Sequence, residues 1–161
     1  VKDFFTKSKF TLFDVIHLGD VLEHLPDPTN TIKCLLKYLK PGGLLYVEGP
    51  LEINPSPVYW ASLVYGVFKH LLLSNYVGKD KPLHLFRTGA QQQLAFFNNV
   101  EPSLVVRHWQ VYETGWPYVE GGLVKRAIAF IGKVLSGVSI FRLTFGNRFS
   151  GIFEYNPKKL S

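Results

Sequence analysis

Residues 13–50 decide the fold: FDVIHLGDVLEHLPDPTNTIKCLLKYLKPGGLLYVEGP. Phe13 to Leu18 is a short apolar run rich in β-branched residues, and it stops at Gly19 and Asp20, which predicts a strand ending beside a loop. Asp27 can cap a helix with Pro28 at its first position. Ile32, Leu35, Leu36 and Leu39 then recur at helical spacing until Lys40-Pro41-Gly42-Gly43 breaks the pattern. Leu44 to Glu48 predicts a second strand. About 25 residues with a helix among them lie between the two strands, the length of a right-handed crossover joining parallel neighbours. The stretch reads as one βαβ unit of an open α/β sheet.

Working outward, Leu51 to Pro57 is a polar, proline-spaced loop leaving the carboxyl end of the second strand, where ligands of open α/β sheets bind. Trp60, Leu63, Val64, Val67, Phe68, Leu71 and Leu72 predict an amphipathic helix, followed by a turn at Gly78-Lys79-Asp80-Lys81-Pro82. Thr88 to Asn99 reads as a short helix. Leu104 to Thr114 reads as a strand whose Arg107 and Glu113 mark an exposed face. Leu123 to Phe141 predicts a second amphipathic helix with Leu123, Val124, Ala127, Ile128, Ile131, Leu135 and Val138 on its apolar side. Phe149 to Tyr155 is a final strand.

The 161 residues are 47% hydrophobic and 15% aromatic, enough for one substantial core, so residues 1–161 read as a single domain. The lone Cys34 excludes an internal disulfide, fits a reducing cytoplasm, and is expected to pack within its helix. No apolar run is long enough to span a bilayer and no signal pattern opens the chain. Residues 121–161 hold seven Lys and Arg against the single Glu154, whereas the other 120 residues balance at eleven of each. A basic amphipathic helix of this kind can lie on an anionic membrane, or its charge can be an ordinary solvated face. Nucleic acid is not expected as a partner, since no recognition motif accompanies the charge.

FDVI, then D-x-L-E-H-L-P-D-P, a helix ending L-K-P-G-G and a strand ending in Gly-Pro resemble the middle of a class I S-adenosylmethionine-dependent methyltransferase. The similarity is greatest to the small-molecule group that includes the ubiquinone-biosynthesis O-methyltransferases. It covers roughly 40 residues and implies the carboxyl-terminal half of that domain. The implied fold class is α/β, a partial Rossmann-like sheet. Its strands would be equivalent to 4-5-7-6 of the family order 3-2-1-4-5-7-6, with the last strand antiparallel. Residues 51–82 and 121–146 become cap or insertion segments. The resemblance also implies a cofactor, S-adenosylmethionine. Neither a glycine-rich loop after a strand nor the ribose-binding acid is found in this sequence, so the chain alone should bind that cofactor weakly or not at all.

The same resemblance implies the site. Leu18, Gly19 and Asp20 would lie beside the methionine part of the cofactor. His24 is the candidate base, its ordinary pKa of roughly 6.5 suiting neutral pH, with loop orientation as the alternative role. Glu23, Glu52, Tyr59, Trp60 and His84 are expected on the substrate side. The acceptor is expected to be small and apolar or aromatic, to match the aromatic cap; a helix merely covering the sheet is the other reading of that cap. Asp20-x-x-Glu23-His24 also resembles the E-x-x-E-H set with which some ubiquinone-pathway enzymes hold a divalent cation; local hydrogen bonding is expected instead, and no metal is assigned. Without strands one to three, Phe13, Val15, Ile16 and Leu18 would form an apolar edge. That edge is expected to be paired in a homodimer, covered by Val1 to Thr11, or occupied by protein outside this sequence.

Overall fold

The computed structural model describes residues 12–72, 84–141 and 143–157. The expected cover by Val1 to Thr11, the turn at 78–82 and the lysines of the tail lie outside those residues. The central unit forms as the sequence implies. Strand β1 (Phe13–Gly19), helix α1 (Pro28–Leu36) and strand β2 (Leu39–Pro50) follow in order, and the two strands are parallel with Leu18 opposite Val47. Asp27 accepts a hydrogen bond from the Asn30 amide at 2.9 Å, and Pro28 occupies the first turn. Replacing Asp27 by alanine orphans that amide, so the urea midpoint should fall by the equivalent of about 1 kcal/mol.

Helix α1 stops at Leu36, and the buried Leu39 already belongs to β2. The strand begins early through a bulge: Phe13 pairs with Leu39, then the register shifts so that Val15 pairs with Leu44. Gly42 sits there at φ +80°, and a Cβ on Gly43 would stand 2.9 Å from the Lys40 carbonyl oxygen, so both positions suit glycine.

The rest of the chain adds α2 (Pro57–Leu72), α3 (Ala90–Val100), β3 (Leu104–Tyr112), α4 (Leu123–Val134), the short strands β4 (Ser139–Ile140) and β5 (Leu143–Thr144), and β6 (Arg148–Tyr155). The main sheet has the order β1-β2-β6-β3, with β6 antiparallel to both neighbours. This is the 4-5-7-6 arrangement expected from the resemblance. One face of the sheet buries Leu45, Val47, Phe149 and Phe153 against Ile32 and Leu36 of α1 and Phe97 of α3. Phe97 and Phe153 have ring centroids 4.3 Å apart. Tyr46, Glu48, Ser150 and Ile152 alternate onto the opposite face and are only half-buried.

Five expectations are corrected. Residues 123–141 are not one helix, because Gly137 takes a left-handed φ of +75° and the chain turns into the β4–β5 hairpin. The buried stripe of α4 is Ala129 and Gly132 rather than Leu123, Val124 and Ile131. Small residues let the helix approach closely: a Cβ on Gly132 would lie 3.1 Å from Glu113 Cγ. Glu113, expected on an exposed face, is buried, and Cys34 is exposed rather than packed. In α2 the apolar stripe does not cover the sheet. Val58 is buried, with Ala61 beside it, against Tyr118, Ile128 and Ala129, while Leu63, Val64, Val67, Phe68 and Leu71 face outward. Among the described residues no helix is long and apolar enough to cross a membrane.

Candidate functional site

The site is built where β1 and β2 end. Asp20 leaves β1 at φ +51°, a left-handed conformation that short polar residues tolerate, with its amide donating to the Glu48 carbonyl at 3.0 Å. Its carboxylate accepts a 2.6 Å bond from Arg148 Nη2. Burial disfavours the Arg148 cation, but hydrogen bonds with Tyr112 and Asp20 outweigh it and raise the pKa above the ordinary value. A Cβ on Gly19 would stand 3.2 Å from the His17 ring and 3.4 Å from Glu48 Oε1, so packing alone already restricts this position.

A single 3-10 turn, Leu22–His24, follows. The segment entering α3 is clamped onto it: the amides of Leu85 and Phe86 donate to the Glu23 carbonyl at 2.7 and 3.2 Å. This clamp sets His84 edge-on against His24, with ring centroids 4.9 Å apart. Glu23 is buried beneath the exposed His24, and one ligand atom each from Glu23, His24 and His84 lie within 4.8 Å of one another. His84 Nδ1 is also hydrogen-bonded to Glu52, whose other oxygen accepts Arg87 Nε at 2.9 Å. A carboxylate directly on Nδ1 favours the tautomer that leaves Nε2 free to accept a proton.

Four of the expected residues, Glu23, His24, Glu52 and His84, therefore come together from three segments. Asp20 does not join them, because Arg148 holds its carboxylate; the set Asp20, Glu23, His24 is not assembled, and His84 supplies the third donor. One carboxylate and two imidazoles are a donor set that suits a divalent transition metal. Tyr59 and Trp60 lie exposed on the first turn of α2, where the Trp60 ring packs edge-on against Phe145, 5.9 Å between centroids.

Two hubs escaped the sequence reading. Glu113 accepts the Ser56 hydroxyl at 2.6 Å and the Gly115 amide at 2.9 Å, and the Ser56 hydroxyl caps the Tyr59 amide at the start of α2. The Asn54 side chain donates to the carbonyls of Thr144 and Gly146 and accepts from the Ala90 amide, tying two distant segments to the loop after β2. The signal was a buried-length loop of Asn and Ser between prolines. On the open face His17 stacks on Tyr46 at 4.5 Å, and the Tyr46 hydroxyl donates to Glu48 at 2.9 Å, which raises its pKa.

An α/β sheet of this order with a polar cluster at its carboxyl edge defines the class I methyltransferase type of fold. Comparisons with known proteins agree. A family profile described as a methyltransferase domain matches residues 2–80. The ubiquinone biosynthesis O-methyltransferase of Pasteurella multocida (strain Pm70) is 39% identical over 54 residues, covering 34% of this chain and 21% of that protein. The enzyme of the same name from Marinobacter nauticus is 30% identical over 96 residues, 60% of this chain and 34% of its own length. The chain thus spans between a fifth and about a third of these relatives. Among solved structures, the plantazolicin methyltransferase BamL, in complex with a triazolic desmethylPZN analog and SAH, superposes with a TM-score of 0.51 at 11% identity, over 96% of this chain and 57% of that one. In sequence and in fold the chain is thus similar to the class I S-adenosylmethionine-dependent methyltransferases, whose cofactor is S-adenosylmethionine.

Proposed function

We propose that this chain forms the acceptor-facing part of an enzyme that transfers a methyl group from S-adenosylmethionine to a small, apolar or aromatic acceptor, as a portion of a longer protein. The observation that carries the reading is the meeting of Glu23, His24, His84 and Glu52 at the carboxyl end of β1 and β2, where ligands of this fold class sit. Leu18, Gly19 and Asp20 would line the methionine part of the cofactor, and their fit is partial, since Asp20 is already engaged by Arg148. When bound, the cofactor supplies an electrophilic methyl on a sulfonium. The protein's task is then to align the acceptor and take its proton. His24, exposed and backed by His84, is the residue assigned to accept that proton, and Tyr59 and Trp60 offer aromatic surface for the acceptor. The unpaired Cys34 accords with a cytoplasmic setting.

The test is amide NMR with S-adenosylhomocysteine at millimolar concentration. Signals of Leu18, Gly19, Asp20 and His24 should shift, those of α4 should not, and calorimetry should detect no micromolar dissociation constant, which would correspond to about −8 kcal/mol. Unmoved signals at residues 18–24 would remove the cofactor from this loop.

A further inference from the structure

The outward faces of α2 and α4 and the β4–β5 hairpin form one apolar surface that the proposed chemistry does not use. We infer that this surface docks on an anionic lipid bilayer. Contiguity comes from two contacts made by α2. Lys125 of α4 lies 5.7 Å from the Tyr65 ring, and Trp60 packs on Phe145 just after the hairpin, so α2 bridges α4 and the hairpin. On this surface Phe68, Leu71, Leu123, Val124, Phe130 and Phe141 are 63–96% exposed, far beyond the scattered apolar residues of an ordinary surface.

Charge selects the occupant. The stretch 57–72 contains no Asp or Glu, and neither does 121–153, whereas Lys125, Arg126 and Lys133 lie exposed on α4 itself. Protein interfaces are depleted of lysine. Amphipathic elements that lie in a headgroup layer combine lysine and arginine with aromatic and aliphatic side chains, as here, and anionic lipid adds attraction for each cation near the surface. An acceptor with apolar character would partition into the same layer, but the inference stands on the surface and not on the acceptor.

The experiment is co-sedimentation of the full chain with vesicles of phosphatidylcholine alone and of phosphatidylcholine containing phosphatidylglycerol. Binding is expected to the mixed vesicles and to weaken as salt is raised. Each of Lys125→Gln, Arg126→Gln and Lys133→Gln should lower the partition coefficient about fivefold. Phe141→Asp, at a position with no packing to lose, should lower binding while leaving the thermal midpoint unchanged. Equal binding to both vesicle types would overturn the choice of an anionic surface. Self-association that Phe141→Asp abolishes, without vesicle binding, would reassign the face to a second copy of the chain, and absence of vesicle binding without such self-association would overturn the inference outright.

Discussion

Replacing Phe97 by alanine should lower the unfolding free energy by about 3–5 kcal/mol. The ring is fully buried and sits between three others, with centroids 4.3 Å from Phe153, 5.2 Å from Phe96 and 6.4 Å from Phe149. It joins α3 to the central strand of the sheet, and its neighbours are themselves rigid aromatics that cannot collapse into the cavity. Domains of this size hold roughly 5–15 kcal/mol in total, so the variant should be partly unfolded near body temperature. Urea denaturation followed by circular dichroism measures it. Phe141→Ala is the control: the same deletion at 96% exposure should change stability by no more than about 0.5 kcal/mol. A Phe97→Ala cost below about 1 kcal/mol would mean that the aromatic cluster is not what holds α3 to the sheet.

The second large effect concerns β1. It stands first in the order of the described sheet, with Phe13 and Val15 about half exposed, so its outer backbone groups form an apolar edge. We expect the isolated chain to pair this edge with that of a second copy. Sedimentation at rising concentration should show a dimer, and hydrogen exchange should show protected amides over residues 13–19 that lose protection on dilution. A monomer at every concentration refutes the pairing, and free exchange at those amides would further show the edge to be bare.

The βαβ unit was legible because its signals agree: β-branched runs, the Asp27 cap, Pro28 and the Gly42-Gly43 break all point the same way. The two later helices were legible as helices but misread as to their faces. Periodicity says which residues share a side, not which side is buried, and in α4 the small Ala129 and Gly132 won the interior because they allow close packing against Val58 and Glu113. In the site, Glu23-His24 could be marked from its motif. The partnership of His84 with Glu52 could not, since it depends on backbone bonds from Leu85 and Phe86 to a turn some sixty residues earlier. Glu113 looked exposed because a carboxylate in a strand usually is, and only the Ser56 hydroxyl and Gly115 amide make its burial tolerable.

The position of β6 in the sheet bears on how the protein is made. β2 and β3 share no hydrogen bonds with each other, and the strand that joins them is the last of the described strands in the chain. Leu45 and Phe153, partners in the ladder, are more than a hundred residues apart. Until residue 155 leaves the ribosome, the nascent chain carries the β1–β2 pair and a separate β3, with an unfilled slot between them and no Phe149 or Phe153 to close the core. Pairings this distant fold slowly, and the waiting edges are the kind that chaperones cover. A chain that stopped before residue 148 would thus keep the β1–β2 pair but lack the strand that joins β2 to β3.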